Sequence, residues 1–222
     1  MIYVYYCRIV PLTDDVYASW LALMPREFMQ RLCRMHHRHD AQASLIGRLL
    51  LLYGLRELDH GHLMLSEIKY TYWGRPYLTS TQIDFNISHS GEYVVCAIGP
   101  EGRIGVDIEQ MKPINPEDFT PVFSSEEIDS FGRHPEGSLA GFYELWTQKE
   151  ALVKAEGSGL SFPAKDIRIE NDAASLSGSR WRLHRLPVSD GYKAHLAVLA
   201  VGNETFPVIL KPLYITEQQL VS

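Results

Sequence analysis

The chain has 222 residues, of which 45% are hydrophobic and 22% charged, a balance typical of a soluble globular protein with a sizeable core. Its formal net charge of −6 argues against a general nucleic-acid-binding protein, since such proteins present a basic surface. The longest apolar run is too short to cross a membrane, and the three cysteines form no CxxC pair. We therefore expect a cytoplasmic protein with no nucleic-acid or membrane partner.

The first hundred residues predict one strand, three helices and then further strands. The segment MIYVYYCRIV alternates bulky residues as a strand does, and it lacks the charged start of a signal peptide. The periodicity then predicts helices over 14–23, 26–37 and 40–55 and a short strand over 65–70. Two β-rich runs, Tyr93–Ile98 and Arg103–Glu109, are separated by a Pro-Glu-Gly segment, which predicts a β-hairpin.

The second half predicts a loop, two helices and mostly strands. Residues 110–123 contain three prolines and indicate an irregular loop. Ser124 and Glu127 have the spacing of a capping box, which predicts the start of a helix. A longer helix is predicted over 139–156 because Gly157 follows it, and 167–214 is mostly strand-like.

A weak internal repeat links the two halves. SGEYVVCAIG (90–99) is similar to DGYKAHLAVLAVG (190–202), and a long helical pattern precedes each. The repeat favours two similar α+β halves that meet near residues 100–110, although two apolar strands can also be alike by chance. Functional sites often lie where two such halves meet.

The segment RIGVDIE (103–109) contains two acidic residues in strand alternation. Its three aliphatic residues share one face and suit a core, while Gly105, Asp107 and Glu109 share the other. The two carboxylates are then roughly 7 Å apart, beside a glycine that leaves room for a ligand. Such oxygens suit Mg²⁺, but a half-exposed strand with a solvated acidic face has the same pattern.

The helix predicted over WTQKEALVKAEG (146–157) has a stripe of functional side chains. Trp146, Glu150 and Lys154 are spaced i, i+4 and i+8, so they lie along one face, and Lys149 is about 100° away around the helix. A carboxylate between two lysines can serve a metal and a phosphate together. A surface helix with an ordinary Glu–Lys pair is the alternative.

In a third segment, FNISHSG (85–91), Ser88 and His89 follow a short strand and precede a glycine. A hydroxyl and an imidazole at a strand end can bind phosphate, although a serine-rich turn is an equal alternative. No GxSxG or GxxxxGK[ST] motif is present, which disfavours an α/β-hydrolase and a P-loop enzyme.

These segments together resemble the 4'-phosphopantetheinyl transferases, and they are most similar to the Sfp-type branch of that family. GRP (74–76), FNISHSG, GVDIE and WTQKEALVKAEG occur in the family's order and spacing, and the resemblance extends from about residue 2 to residue 200. It implies an α+β fold of two similar halves, related by pseudo-twofold symmetry, with the active site at their interface. The corresponding halves would be residues 1–103 and 104–222.

The resemblance also implies a set of site residues. Asp107, Glu109 and Glu150 would hold Mg²⁺, or alternatively Mn²⁺, and Glu150 and Lys154 would be catalytic. The coenzyme A ligands would be Arg75, Ser88, His89, Lys149 and Lys154. Further candidates are Glu127, which matches a family carboxylate near the metal, Arg48 and Arg31. Arg48 or Arg38 could replace the arginine that meets the 3'-phosphate in close relatives, since this chain has Gln42 and Ala43 there. Arg31 could replace a basic lysine of the family.

The implied reaction moves the 4'-phosphopantetheine group of coenzyme A to a serine of an apo acyl or peptidyl carrier protein and releases 3',5'-ADP. Such enzymes activate carrier proteins, among them those of secondary metabolite biosynthesis, and a monomer is expected. Two alternatives remain at this point. One is a Mg²⁺-dependent phosphohydrolase that acts on coenzyme A, and the other is a non-catalytic module that binds coenzyme A or a carrier.

Overall fold

The computed structural model describes residues 1–100, 102–157, 159, 164–170, 172–200 and 206–213. The helices are α1 (Asp14–Leu21), α2 (Arg26–Leu32), α3 (Arg38–Glu57), α4 (Ser125–Phe131) and α5 (Ser138–Glu156). The strands are β1 (Ile2–Arg8), β2 (Ile68–Tyr70), β3 (Pro76–Leu78), β4 (Asp84–Ser90), β5 (Tyr93–Gly99), β6 (Ile104–Gln110), β7 (Arg168–Glu170), β8 (Ala173–Leu176), β9 (Ser179–Arg185), β10 (Tyr192–Leu199) and β11 (Val208–Pro212).

The described strands form two main sheets and one small hairpin. The four-stranded sheet has the order β11-β1-β5-β4, the five-stranded sheet has the order β6-β10-β9-β8-β7, and β2 pairs with β3. The predicted hairpin of Tyr93–Ile98 with Arg103–Glu109 is therefore wrong, since β5 pairs with β1 and β4 while β6 pairs with β10. The Pro-Glu-Gly segment connects two sheets and does not fold one strand onto the next.

The two sheets meet along their edge strands β4 and β6 through side chains. The Asp84 carboxylate accepts a hydrogen bond from the N–H of Ile104 (2.8 Å), and the Asn86 side-chain oxygen accepts one from Val106 (2.9 Å). The Ser90 hydroxyl accepts a third from the last residue of β6 (3.1 Å). Alternate residues of β4 thus satisfy backbone donors of β6 that lack a neighbouring strand on that side.

A long helix packs on each sheet. α3 covers the first sheet, and its Gly54 lies so close to Ile98 and Tyr5 that an added Cβ would be 2.4 Å and 2.6 Å from their side chains. α5 packs against β6 and β10 and ends at Gly157 in the left-handed region (φ +85°). Both long helices are confirmed within a few residues of their predicted bounds, and α4 begins with the predicted capping box.

The two sheets do not correspond to the first and second halves of the chain. The first sheet takes β1, β4 and β5 from the first hundred residues, but its edge strand β11 comes from the end of the chain and runs parallel to β1. The mixed α+β class is confirmed, whereas the boundary at residues 103 and 104 stays a prediction. None of the described helices is long and apolar enough to cross a membrane.

Candidate active site

Three carboxylates lie together where α5 crosses β6. The strand supplies Asp107, which is 2% exposed, and the half-buried Glu109, and the helix supplies Glu150. Burial raises the pKa of Glu150, and the negative charges of Asp107 and Glu109 raise it further. The pKa of Glu109 is likewise raised by burial and by Asp107. Three acidic groups that repel one another in a partly buried place favour the binding of a cation.

Asp107 and Glu109 occupy this face because the alternation predicted for RIGVDIE is confirmed, with its aliphatic residues buried in the core. The expectation for Gly105 is wrong, however. A Cβ at this position would lie 2.2 Å from the Ala151 carbonyl oxygen and 2.4 Å from the Ala155 nitrogen. The space beside the carboxylates is therefore filled by the α5 backbone, and the glycine permits this close crossing, which brings Glu150 to the site.

Lys154 joins the cluster from the next turn of α5. Its ammonium group donates to Asp107 Oδ1 (2.6 Å) and to Ser88 Oγ (2.8 Å), and the Ser88 hydroxyl is itself 3.0 Å from the same Oδ1. The other oxygen, Asp107 Oδ2, is buried and has no hydrogen-bond partner within the described residues. Asp107 therefore keeps one oxygen for a further cation while Lys154 and Ser88 hold the other.

Arg75 ties the β2–β3 hairpin to this site. Its guanidinium donates to the Asp84 carboxylate (2.6 Å), to the Ile104 carbonyl (3.1 Å) and to the Lys154 carbonyl (3.1 Å). A pocket of about 260 Å³ lies alongside, and its lining includes Arg75, Glu150 and Lys154 together with the indole of Trp73. The charge of Arg75 is thus already paired with a carboxylate at the pocket wall.

Ser88 and His89 lie on opposite faces of β4, because successive side chains of a strand alternate. Ser88 is buried against Asp107. His89 is exposed on the other face, where its imidazole is acted on by the charges of Asp40, Lys154 and His39. The structure therefore brings Ser88 to the carboxylates and places His89 beside the start of α3.

Lys149 and Glu127 form a buried ion pair outside the cluster. Lys149 is 1% exposed, and its ammonium group donates to Glu127 (2.8 Å) and to the carbonyls of Val122 and Ala164 (3.0 Å each). The same Glu127 oxygen accepts from the Ser124 N–H (2.9 Å). This geometry departs from the prediction that Lys149 reaches a pyrophosphate, because burial fixes its ammonium group, and it favours the capping interpretation of Glu127.

Arg31 and Arg48 line a different pocket, between α2, α3 and β2. Arg48 is 8% exposed and donates to the hydroxyl of Tyr70 (2.9 Å). The pocket shares no lining residue with the one beside Arg75. Arg31 and Arg48 therefore lie near each other and away from the carboxylate cluster.

A polar network that the sequence interpretation missed holds α5 on β10 next to the site. His195, which pairs in register with Asp107, is 1% exposed; its Nδ1 is 2.8 Å from the Thr147 hydroxyl and its Nε2 is 3.1 Å from Glu144. Lys193, also buried, donates to Glu136 (2.9 Å). The alternation in YKAHLAV places these two β10 side chains on one face, and that was the available signal.

Comparison with known proteins identifies the family of the chain. Residues 103–198 match the 4'-phosphopantetheinyl transferase superfamily, and residues 11–101 match the 4'-phosphopantetheinyl transferase N-terminal family. The chain therefore belongs to the 4'-phosphopantetheinyl transferases and is an enzyme of that class.

Individual relatives show the same assignment over most of the chain. The 4'-phosphopantetheinyl transferase Sfp of Bacillus subtilis strain 168 is 32% identical, over 89% of this chain and 90% of its own. Another B. subtilis 4'-phosphopantetheinyl transferase is 34% identical over 73% and 74%. The superposition on the holo-[acyl-carrier-protein] synthase of Thermotoga maritima has a TM-score of 0.34 at 16% identity, over 44% of this chain and 62% of that one.

The carboxylates of this site suit a bound metal by their chemistry rather than by a ready-made geometry. Within the described residues no group of three His, Cys, Asp or Glu side chains already stands in metal-binding geometry. Nevertheless, hard carboxylate oxygens, an orphaned buried Asp107 Oδ2 and the mutual repulsion of the three acids fit Mg²⁺ chemically.

Proposed function

We propose that this enzyme transfers the 4'-phosphopantetheine group of coenzyme A to a serine of an apo acyl or peptidyl carrier protein and releases 3',5'-ADP. The observation that carries the proposal is a cluster of five side chains, of which Glu150 and Lys154 also line the pocket. The other three are Asp107, Glu109 and Ser88. The membership of the chain in the transferase family gives that convergence its chemical meaning.

The three carboxylates would hold Mg²⁺, with Mn²⁺ as the alternative. When bound, the metal supplies positive charge that offsets the negative charge developing on a pyrophosphate during transfer. Asp107 is suited to this role because Oδ2 is free of described partners while Oδ1 remains bonded to Lys154 and Ser88.

Lys154 and Arg75 would act at the phosphate side of the pocket. The ammonium group of Lys154 is 30% exposed by side chain, so it can meet an incoming phosphate as well as Asp107. Arg75 is bonded to Asp84 and to the Lys154 carbonyl, which makes it a positioning residue for the end of α5. Ser88 would orient Lys154, because its hydroxyl group contacts both the Lys154 ammonium group and Asp107 Oδ1.

Glu150 is the candidate general base. Its place among the carboxylates beside the pocket, next to Lys154, puts it where the serine proton would be released. Burial and the charge of Asp107 raise its pKa in the metal-free site, whereas a bound cation would lower it. In the proposed step the carrier serine oxygen bonds to the β-phosphorus of coenzyme A as the bond to the bridging oxygen breaks. The serine proton passes to Glu150 directly or through a water, and the electron pair of the broken bond leaves on 3',5'-ADP.

The loop 110–123 and α4 would form the carrier-docking surface, since they lie next to the cluster. Met111 packs only partly buried on the aromatic cluster that includes Phe119, Phe142 and Trp146. Met111→Ala should therefore raise the carrier KM with little change in the fold, whereas an unchanged carrier KM would reject this surface. We further propose a monomer that acts in the cytoplasm.

The direct test mixes the protein with coenzyme A, Mg²⁺ and an apo carrier domain and weighs the carrier by mass spectrometry. A carrier heavier by one phosphopantetheine supports the transfer. Release of phosphopantetheine to water without a carrier would instead indicate a phosphohydrolase. Binding of coenzyme A with neither product would indicate a non-catalytic module.

A further inference from the structure

Two buried basic side chains of β10 lie directly opposite the two acidic residues of β6. His195 is the register partner of Asp107, and Lys193 is the register partner of Glu109. Directly opposite residues of antiparallel strands point to the same face of the sheet, which here is the face that α5 covers. His195 is 1% exposed and Lys193 is 2% exposed. The proposed transfer step uses neither side chain.

The imidazole of His195 contacts α5 through both of its nitrogen atoms. Nδ1 is 2.8 Å from the Thr147 hydroxyl oxygen, and Nε2 is 3.1 Å from Glu144 Oε1. Thr147 is 0% exposed, and its hydroxyl also donates to the carbonyl of Tyr143, one turn earlier (2.7 Å). Because hydrogen bonds are directional, these contacts fix the orientation of the ring and hold α5 to β10 at two positions three residues apart.

These contacts bear on Glu150, which follows Thr147 by three residues and so lies on a neighbouring part of the helix surface. The close approach of α5 to Gly105 sets the distance between helix and strand, but van der Waals contact is weakly directional and does not fix the rotation of the helix. A helix with its side chains has a radius of about 5–6 Å, so a rotation of roughly 20° moves a carboxylate by about 2 Å. A functional group must be held within roughly 0.5 Å of its working position.

We propose that His195 is a positioning residue for transfer, which sets the rotation of α5 and thereby the position of Glu150 relative to Asp107. The inference rests on the proposed function, because it assigns these two carboxylates to the metal and to the proton transfer. Lys193 supports the arrangement from a second side, since its ammonium group is 3.4 Å from Glu144 Oε2. The carboxylate that meets the imidazole is therefore itself held in place.

The test compares His195→Ala with Val198→Ala in the full chain, each assayed well below its own Tm with coenzyme A, Mg²⁺ and an apo carrier domain. Val198 is buried on the opposite face of the same strand, so its truncation also leaves a cavity, but away from α5. His195→Ala should lower kcat on the order of 10–100-fold with an unchanged carrier KM, whereas Val198→Ala should keep the wild-type kcat. Equal kcat values for the two variants would overturn the proposal.

A purely structural role for His195 predicts a lower Tm with an unchanged kcat, and Thr147 tells the two roles apart. Thr147→Val removes the hydroxyl and should lower kcat, while Thr147→Ser keeps the hydroxyl and should recover it. The double variant His195→Ala/Thr147→Val should be no slower than the slower single variant, because both substitutions remove the same contact. If His195→Ala fails to fold, the Thr147 pair decides. A wild-type kcat in Thr147→Val would then reject the positioning role.

Binding of Mn²⁺ separates this inference from the transferase proposal. Its Kd for the full chain is measured by calorimetry without coenzyme A or carrier, and His195→Ala should raise that Kd about ten-fold, whereas Val198→Ala should not. A wild type that shows this dependence but modifies no carrier would reject the transfer and keep the positioning role. A wild type that modifies the carrier, with kcat and Mn²⁺ Kd both unchanged in His195→Ala, would reject the positioning role alone. A wild type that neither binds Mn²⁺ nor modifies the carrier would reject both.

Discussion

Asp107 is the residue at which the contacts of the candidate active site converge. Lys154 and Ser88 share its Oδ1, while Oδ2 has no partner among the described residues. Asp107→Asn keeps the shape of the side chain and removes its charge. We expect kcat/KM for carrier modification to fall on the order of 10²-fold or more, since a charged metal ligand is lost. The measurement is the rate of carrier mass gain, with Asp166→Asn, an exposed acid, as the control. Undiminished transfer by Asp107→Asn would refute the metal assignment.

Lys149 and Lys154 lie on the same helix but have separate roles. Lys149→Met removes one partner of a buried ion pair with Glu127, so it should lower the free energy of unfolding by roughly 3–5 kcal/mol. Lys154→Met removes a side chain that is 30% exposed, and it should cost little stability but most of the transfer rate. Urea unfolding and the carrier assay on both variants check this. If Lys149→Met mainly lost transfer and Lys154→Met mainly lost stability, the two assigned roles would be exchanged.

At the scale of elements, the crossing of α5 over β6 sets the distance between the carboxylates. Gly105→Ala would place a Cβ 2.2 Å from the Ala151 carbonyl oxygen, and backbone cannot move aside as a flexible side chain can. We expect a loss of stability of about 1–3 kcal/mol together with reduced transfer, since Glu150 shifts with the helix.

Gly132→Ala is the matched control for that substitution, because no atom of the described residues lies within 4 Å of a Cβ at Gly132. Its Tm should stay close to that of the wild type. A Gly105→Ala variant as stable and active as Gly132→Ala would mean that the helix is free to shift without consequence for the site.

The contact of α5 with β10 should be visible in the acid dependence of stability. Burial alone would raise the pKa of Glu144, but the hydrogen bond and charge of His195, with the charge of Lys193, lower it from 4.5 to about 2. A depressed folded-state pKa contributes stability above pH 4.5 that is lost as the pH falls towards 2. At full strength this contribution is about 3 kcal/mol.

Glu144→Gln should therefore destabilise the protein more at pH 6 than at pH 3. Urea unfolding of wild type and variant at the two pH values gives the difference directly. If Glu144→Gln destabilised the protein equally at pH 6 and pH 3, the carboxylate charge would not stabilise this contact.

The elements also show what the sequence could and could not predict. Helices α3 and α5 and the cap of α4 were predictable because periodicity and capping are local. The β5–β6 hairpin was wrong because pairing across sheets depends on distant strands, and the function of Gly105 depended on α5, some fifty residues away. Lys149 could not be separated from Lys154 by spacing alone, since the loop that buries it comes from another part of the chain.

For the whole molecule, β11 joins the end of the chain to the first sheet. Without it β1 would become an edge strand. Two truncations isolate its contribution: a chain ending at Leu213 keeps β11, and one ending at Phe206 lacks it. We expect the shorter chain to unfold at a lower temperature, measured by calorimetry, because it loses the pairing of Ile2–Tyr6 with Val208–Pro212. Equal Tm values for the two would show that β11 adds nothing to the fold.

The side-chain contact between the edge strands β4 and β6 has a consequence for self-association. Open strand edges are templates on which a second chain can add, and they lead to aggregation. Here Asp84, Asn86 and Ser90 occupy donors of β6, so each sheet conceals an edge of the other. A folding intermediate with only one sheet formed would expose that edge to neighbouring chains, and its polar side chains would then be the residues that discourage intermolecular strand addition.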